Sequence, residues 1–209
     1  MGKAITVRKA VVTRKTNETD ITVKLNIDGT GKAKINTGIG MLDHMLELFT
    51  FHGYFDLEIS GKGDLKVDLH HTNEDVGIVL GEAFKKALGD KKGIERSSPY
   101  SWPMEDVVAN VAVDISGRGF FSNIAIEPHL VGRSRISEEK GYTLAHANHF
   151  FEAFAKRMGM NLSIRISSTN SDLHTNLEPI FKALGKALHQ ATQINPRRKG
   201  IPSTKGVID

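Results

Sequence analysis

Apolar residues recur at helical spacing in four stretches of the chain. The predicted helices cover residues 41–51, 72–88, 143–158 and a segment from near Pro179 to Ala191. His52-Gly53 follows the first stretch and Gly89 follows the second, and glycine is common just beyond the end of a helix. The pattern therefore predicts four amphipathic helices, separated by segments of a different period.

Those segments are rich in Val, Ile and Thr and predict short strands. The predicted strands are two within residues 4–27 with a turn near Asn17, then 32–36, 56–60, 64–69, 107–115, 119–126 and 161–167. Asp28-Gly29-Thr30-Gly31 predicts a hairpin before the strand at 32–36. Residues 94–104 contain Pro99 and Pro103 and are expected to be irregular, and residues 128–140 are expected to form a loop.

The two halves of the chain carry the same features in the same order. His44 and His70 in the first half correspond to His149 and His174 in the second, at nearly equal spacing. We therefore expect one α+β domain of duplicated βα half-domains, with a four-helix layer packed between mixed β-sheets. The repeats are expected at about 1–93 and 94–192, followed by a tail at 193–209.

Composition narrows the possible chemistry. The chain has 209 residues, is 39% apolar, contains no cysteine and carries a formal net charge of +4. Any metal must therefore be held by histidine and carboxylate.

The N-terminus lacks the apolar run of a signal peptide, and no stretch approaches the roughly 20 apolar residues that span a bilayer. We expect no membrane partner and a cytoplasmic protein, or a plastid one if a transit peptide has been removed. The aromatic residues do not interleave with the basic ones, so we expect no nucleic-acid partner.

The segment His70-His71-Thr72-Asn73-Glu74 is a compact group of possible metal ligands. On a helix, His70 and Glu74 lie one turn apart on one face, while His71 points about 100° away. The segment could serve two metal ions, or one ion and a substrate. A single histidine is usually an ordinary surface or core residue, but His44, His149, His174 and Glu178 recur at related positions. Imidazole with carboxylate suits Mn, Zn, Fe or Ni.

Other polar residues each admit a plain and a functional interpretation. Glu18, in a predicted turn, is either a surface carboxylate or a proton donor and acceptor. Arg118, between glycines, either belongs to a hairpin turn or binds a phosphate bidentately. Lys182 on the last helix is either solvated or binds an anion. Pro202-Ser203-Thr204-Lys205-Gly206 is either a disordered tail or a source of hydroxyl, backbone and ammonium donors for an anion.

Taken together, these motifs resemble the imidazoleglycerol-phosphate dehydratase family of histidine biosynthesis, and the resemblance runs nearly end to end. The motifs that carry it are Arg14-Lys15-Thr16-Asn17-Glu18-Thr19, Thr37-Gly38-Ile39-Gly40-Met41-Leu42-Asp43-His44-Met45-Leu46, Asp68-Leu69-His70-His71-Thr72-Asn73-Glu74-Asp75-Val76-Gly77, Pro103-Met104, Asp114-Ile115-Ser116-Gly117-Arg118, His149-Phe150-Phe151, Phe181-Lys182-Ala183 and Pro202-Ser203-Thr204-Lys205-Gly206.

The resemblance implies an assembly and a set of site residues. It implies a homo-oligomer of trimers that form a 24-subunit particle, with two Mn²⁺ ions in each active site at subunit interfaces. The implied metal ligands are His44, His70, His71, Glu74, His149, His174 and Glu178. The implied catalytic residues are Glu18, the acid/base residue, with His70, His71, Glu74 and Glu178. The implied substrate-binding and phosphate-binding residues are Glu18, Arg96, Arg118, Lys182, Ser203 and Lys205.

The implied reaction is dehydration of D-erythro-imidazole glycerol phosphate to imidazole acetol phosphate. The hydrogen to be removed is not next to a carbonyl, so ordinary enolisation is not available. Metal ions on both ring nitrogens would favour an imidazolate that expels the adjacent hydroxyl and leaves a diazafulvene. A general base could then take the neighbouring, acidified C–H proton.

The second motif departs from the His-His-x-x-Glu-Ala pattern of the family, because it reads His174-Thr175-Asn176-Leu177-Glu178-Pro179. A threonine hydroxyl is a poorer ligand than imidazole for a divalent transition ion. By the logic of the repeat, His71 would join His174 and Glu178 at one metal, and residue 175 would join His70 and Glu74 at the other. Pro179 leads us to expect that the last helix starts near it and that His174 and Glu178 lose their one-turn relation.

Three functions remain open from the sequence. The first is the dehydratase. The second is a metal-stapled relative, meaning an oligomeric protein that metal ions hold together and that has weak or no catalysis. The altered second motif favours this function. The third is a phosphohydrolase with a dinuclear metal centre, in which the same ligands would act on a phosphate ester.

Overall fold

The computed structural model describes residues 7–126 and 136–208, which form two four-stranded sheets and four helices. The first half contains β1 (Lys9–Lys15), β2 (Thr19–Asn26), β3 (Ala33–Asn36), α1 (Gly40–Gly53), β4 (Asp56–Gly63) and α2 (His70–Leu88). The second half contains β5 (Ser97–Met104), β6 (Val107–Asp114), β7 (Ala125–Ile126), α3 (Leu144–Met158), β8 (Asn161–Ile166) and α4 (Leu173–Thr192).

The two sheets have the same strand order, β1-β2-β4-β3 and β5-β6-β8-β7. In each sheet the first three strands are antiparallel and the last strand is parallel to its neighbour. Helix α2 packs on β1, β2 and β4, helix α4 packs on β5 and β6, and the helices pair as α1 with α4 and α2 with α3. The predicted α+β fold class, with helices between mixed sheets, is confirmed.

The predicted hairpin at Asp28–Gly31 is wrong. β3 does not pair with β2, because it runs parallel to β4 with Ile35 opposite Ile59. The side chain of Asp56 at the start of β4 accepts hydrogen bonds from the backbone N–H groups of Thr30 and Lys32, at 2.8 and 3.2 Å. These bonds hold the segment before β3 against β4, so that β3 lies on the side of β4 opposite β2.

Two other predicted segments have a different structure from the one expected. The predicted strand at 64–69 is a series of turns, because Val67 N–H bonds back to Asp64 C=O at 2.7 Å. The segment with Pro99 and Pro103, expected to be irregular, forms β5. It lies at the edge of its sheet, where a missing N–H is tolerated.

The predicted strand at 119–126 is regular only at Ala125–Ile126. Residues 4–6 of the first predicted strand, and residues 128–135 of the predicted loop at 128–140, lie outside the described residues. None of the described helices is both long enough and apolar enough to cross a membrane.

Glycines allow the helices to approach each other closely. A Cβ at Gly77 of α2 would lie 2.7 Å from Phe150 O of α3, and one at Gly185 of α4 would lie 2.5 Å from Phe49 O of α1. Real Cβ atoms do not tolerate such distances, so these positions favour glycine. The close α2–α3 contact brings His70 towards His149, and the close α1–α4 contact brings His44 towards His174.

Candidate active site

Helix α4 begins six residues before Pro179, so the expectation that it starts near Pro179 is wrong. Asp172 caps the helix, because its Oδ2 accepts hydrogen bonds from the backbone N–H and the hydroxyl of Thr175, at 2.9 and 2.8 Å. His174 and Glu178 therefore share one face, and His174 Nε2 lies 2.8 Å from Glu178 Oε2. Their one-turn relation is kept, although Pro179 lacks the N–H that would bond to the carbonyl of Thr175.

His44 completes a group with these two residues. The imidazoles of His44 and His174 stack with ring centroids 4.9 Å apart, and His44 Nε2 lies 3.8 Å from Glu178 Oε2. The three ligand atoms lie within 4.8 Å of one another. His44 Nε2 is buried and has no hydrogen-bond partner among the described residues. Two imidazoles, one carboxylate and an unsatisfied ring nitrogen fit a divalent transition ion.

Lys182 links this group to a second set of side chains. Its ammonium forms an ion pair with Glu178 Oε1 and lies 5.8 Å from the ring centroid of Trp102. His52 packs edge-on against the same indole at 4.7 Å. Partial burial alone would raise the pKa of Glu178, but its contacts with Lys182 and His174 lower that pKa below its ordinary value. Glu178 is therefore ionised at neutral pH and contacts the imidazole through one oxygen and the ammonium through the other.

His70, Glu74 and His149 form a second group between α2 and α3. His70 Nδ1 lies 3.1 Å from His149 Nδ1, and His70 Nε2 lies 3.5 Å from Glu74 Oε2. They line a cavity of about 230 Å³ together with Glu152 and Lys156. This group corresponds through the repeat to His174, Glu178 and His44. His70 faces His149 with one ring nitrogen and Glu74 with the other, so its three side chains converge less closely than those of the first group.

The start of α3 is fixed relative to α2 by buried polar bonds. Asn73 Nδ2 donates to the carbonyl of His146 at 2.8 Å, and the hydroxyl of Tyr142 donates to Asn73 Oδ1 at 2.8 Å. Asn73 is fully buried, so these bonds are costly to break. They set the position of His149, one turn further along α3, against His70.

His71 points away from both groups, as the helical spacing predicts. Its Nδ1 lies 3.0 Å from Asp64 Oδ2 and 3.9 Å from Glu18 Oε2. The hydrogen bond to Asp64 raises the pKa of His71 above its ordinary value, against an opposing effect of desolvation, and the charge of Glu18 adds to the increase. Within one chain, His71 does not join the group of His174 and Glu178.

Glu18 reaches His71 because the β1–β2 turn is anchored on α2. Arg14 Nε donates to Asp75 Oδ1 at 2.8 Å, and the hydroxyl of Thr19 donates to Asp75 Oδ2. Asp75 is buried and follows Glu74 directly in the sequence. One helical turn therefore positions both the second group of ligands and the Glu18 turn.

Thr175 occupies the position in the second repeat that His71 occupies in the first. Its hydroxyl donates to Asp172, and only 7% of the residue is exposed. Its oxygen serves the helix cap, so this residue is a poor candidate for a metal ligand.

The residues predicted to hold a phosphate lie in three parts of the chain. Arg96 forms a two-pronged ion pair with Asp114, at 2.6 and 3.0 Å, and its Nη1 donates to the carbonyl of Pro202 at 2.9 Å. This bond holds the C-terminal segment beside β6, where the backbone N–H of Lys205 donates to Ser203 Oγ at 3.2 Å. Arg118 lies in a turn and its backbone N–H donates to Ser116 Oγ at 3.3 Å. Lys182 lies on α4 and pairs with Glu178, beside the first group of ligands.

Sequence reasoning missed two residues at this site. The sequence pattern places Asp64 in a predicted strand, although an aspartate directly after glycine is typical of a turn. Trp102 lies in the segment that the sequence predicts to be irregular. The strand pattern of β5 was hidden by its prolines, so no local signal indicated that Trp102 faces α4.

Comparison with known proteins identifies one family. A family model described as "Imidazoleglycerol-phosphate dehydratase" matches residues 37–188. A relative of that name from Thermoanaerobacter pseudethanolicus is 50% identical over 202 residues, covering 96% of this chain and 100% of the relative. One from Bacillus licheniformis is 47% identical over 203 residues, covering 96% and 100%.

Two solved structures are similar over nearly the whole chain. IGPD from Pyrococcus furiosus aligns with a TM-score of 0.75 and 32% identity, covering 94% of this chain and 99% of that one. Imidazoleglycerol-phosphate dehydratase from Staphylococcus aureus aligns with a TM-score of 0.71 and 31% identity, covering 89% and 100%.

Proposed function

This chain belongs to the imidazoleglycerol-phosphate dehydratase family, and we propose that it dehydrates D-erythro-imidazole glycerol phosphate to imidazole acetol phosphate with the help of bound divalent metal ions. The observation that carries the metal-assisted chemistry is the group of His44, His174 and Glu178, with Lys182 attached to the same carboxylate. It places donors for a transition ion beside a cation that suits a phosphate or a developing negative charge.

The geometry of the first group supports one metal site, and the internal repeat supports a second. His44, His174 and Glu178 would hold one ion, and His70, Glu74 and His149 would hold another. When bound, these ions would withdraw electron density from an imidazole ring and favour loss of its N–H proton. Mn²⁺ suits nitrogen and oxygen donors, and the same donors suit Zn, Fe or Ni.

Glu18 is the proposed acid/base residue. Its side chain is 56% exposed, and its carboxylate lies 3.9 Å from His71 Nδ1, so it is open to a substrate that lies on the histidines. It would protonate the departing hydroxyl, which leaves as water, or accept the proton from the neighbouring C–H. The enol that remains becomes the ketone of the product by moving one proton to carbon.

The phosphate end of the substrate needs cations at a fixed distance from the ring. Arg118, Lys182, Ser203 and Lys205 are proposed to bind it, and a clamp of this kind holds the reacting carbon in register. Among the described residues, Arg96 uses three of its five N–H donors on Asp114 and Pro202, so two could contact a phosphate. Its proposed role is therefore both to hold the C-terminal segment and to contact the anion.

Each group contains three donors from one chain, and His71 is separate from them. We propose that the sites are completed between subunits of a homo-oligomer, in which a second copy supplies a further donor.

We also propose that the chain is one domain of two repeats, at about 1–93 and 94–192, followed by a tail at 193–209. A cytoplasmic location stays a prediction.

One observation favours a second candidate, a metal-stapled relative with weak catalysis. Thr175 replaces the histidine that the repeat leads us to expect, and its hydroxyl bonds to Asp172. Pro179 does not favour this candidate further, because His174 and Glu178 keep their one-turn relation on α4. The absence of an imidazole at position 175 would therefore remove one donor from one of the two metal sites.

Complementation tests the proposal in cells. A histidine auxotroph that lacks this dehydration step should grow without histidine when it carries the wild-type gene. The Glu18→Gln gene should fail to support growth, because it removes the acid/base carboxylate and keeps the side chain's size. Failure of the wild-type gene, with the protein expressed and assembled, would favour the metal-stapled relative. Release of inorganic phosphate from the substrate by purified protein would instead indicate a phosphohydrolase.

A further inference from the structure

We propose that Asp64 is a positioning residue for His71: it holds the Nδ1 side of the ring, presents Nε2 for a metal, and leaves Glu18 free for proton transfer. This inference rests on the proposed function. Its basis is the unequal approach of two carboxylates to one ring nitrogen, at 3.0 Å for Asp64 and 3.9 Å for Glu18.

The shorter distance decides which nitrogen of His71 is available. An ionised carboxylate can only accept hydrogen bonds, so a ring nitrogen 3.0 Å from Asp64 Oδ2 must carry the proton. A nitrogen that carries a proton cannot bind a metal. The other nitrogen, Nε2, is then the only one that can act as a ligand, and a carboxylate partner makes it more basic.

The fold holds Asp64 in place independently of any metal. It follows β4 directly, and its carbonyl accepts the Val67 N–H at 2.7 Å in the turn that leads to α2. Gly63 lies so close to Thr72 in the first turn of α2 that a Cβ on Gly63 would overlap the Thr72 hydroxyl. The end of β4 is therefore packed against the first turn of the helix that carries His71.

The two carboxylates also differ in exposure. The side chain of Asp64 is 26% exposed, and its Oδ1 is buried with no partner among the described residues. The side chain of Glu18 is 56% exposed and lies beyond hydrogen-bond distance of His71. The more buried carboxylate thus orients the ring, and the more exposed one remains open to a substrate.

Metal titration of variants tests this division of roles. Metal-stripped wild-type protein, Asp64→Ala, Asp64→Asn and Glu18→Gln would be titrated with Mn²⁺, with the free-ion EPR signal as the readout and no substrate present. We expect Asp64→Ala to bind Mn²⁺ about 10- to 100-fold more weakly, as for other partners of metal-bound histidines, with Asp64→Asn in between. Glu18→Gln should bind within about two-fold of wild type, while its kcat falls by about 10²–10⁴-fold.

Glu58→Gln is the matched control, because Glu58 loses one charge on the far face of β4, where it pairs with Lys24. It should bind Mn²⁺ as wild type does. If Asp64→Ala does not assemble, Asp64→Asn carries the test, because its amide keeps the shape of the side chain. Mn²⁺ affinity in that variant equal to wild type would overturn the role of Asp64.

Other outcomes separate this inference from the proposed function. Equal losses of Mn²⁺ affinity in Asp64→Asn and Glu18→Gln would overturn the division of roles between the two carboxylates. A wild-type protein that binds Mn²⁺ with the expected dependence on Asp64, but forms no dehydrated product, would contradict the proposed reaction and support the role of Asp64.

Discussion

His174 and Glu178 face each other one helical turn apart, with Nε2 and Oε2 separated by 2.8 Å, although a proline follows Glu178 directly. The cap at Asp172 starts the helix early enough to place both residues on it. Because His44 stacks on His174 and Lys182 pairs with Glu178, this one turn organises the site on α1 and α4.

The cap gives a prediction for stability. Asp172→Ala should lower the free energy of unfolding by about 1 kcal/mol at pH 7, because two hydrogen bonds to Thr175 are lost. Hydrogen bonds from Thr175 lower the pKa of Asp172 below its ordinary value of 3.8. A carboxylate with a lowered pKa in the folded state stabilises the fold above its ordinary pKa, and this contribution is lost as the pH falls through the folded-state value.

Urea denaturation at pH 7 and at about pH 3 measures both effects. The difference between wild type and Asp172→Ala should shrink at the lower pH. Asp172→Asn is the control, since it keeps a hydrogen-bond acceptor without the charge. It should retain most of the capping contribution to the free energy of unfolding at both pH values. An unchanged difference between wild type and Asp172→Ala across this range would contradict the role of the charged cap.

Thr175→His should raise the metal content of the purified protein. The repeat places residue 175 where the first half has His71, so an imidazole there restores a donor that the second half lacks. Metal analysis after dialysis against Mn²⁺ should show more bound metal per subunit than wild type. Thr175→Asn, a polar residue that ligates poorly, should not. Two tightly held ions per subunit in wild type would refute the idea that Thr175 weakens a site.

Trp102 is the single tryptophan of the chain, so its fluorescence reports on Lys182. Inorganic phosphate that binds Lys182 would draw the ammonium away from the indole and change the emission in a saturable way. Lys182→Met should abolish this change. Lys186→Met is the control, because that ammonium lies 4.5 Å from the Tyr54 ring instead. A phosphate response that survives in Lys182→Met would contradict phosphate binding at this lysine.

Gly77→Ala should separate α2 from α3. The added Cβ would lie 2.7 Å from Phe150 O, and overpacking of this kind costs about 1–3 kcal/mol. The free energy of unfolding should fall by that amount, and Mn²⁺ affinity should fall with it, because His70 and His149 move apart. Gly40→Ala is the control, since a Cβ there meets nothing within 4 Å. Full stability of Gly77→Ala would show that the helices do not need this contact.

The presence of four helices and the pairing of the histidines could be predicted, because they depend on local spacing and on an internal repeat. The start of α4 could not, because it depends on the cap at Asp172. Features that depend on distant contacts could not be predicted either. The parallel pairing of β3 with β4 follows from hydrogen bonds that the backbone N–H groups of Thr30 and Lys32 donate to the side chain of Asp56, 26 residues after Thr30. The prolines of β5 concealed an edge strand, and with it the place of Trp102. The approach of Asp64 to His71 depends on a turn where the sequence suggested a strand.

Dehydration of D-erythro-imidazole glycerol phosphate by metal-stripped protein, measured during titration with Mn²⁺, tests the central claim most directly. Wild-type protein should form the ketone product at a rate that rises and saturates with Mn²⁺. Glu178→Gln, which loses the carboxylate between His174 and Lys182, should need far more Mn²⁺ or form little product. A wild-type protein that assembles and binds Mn²⁺, yet forms no product at any concentration of the ion, would contradict the assignment.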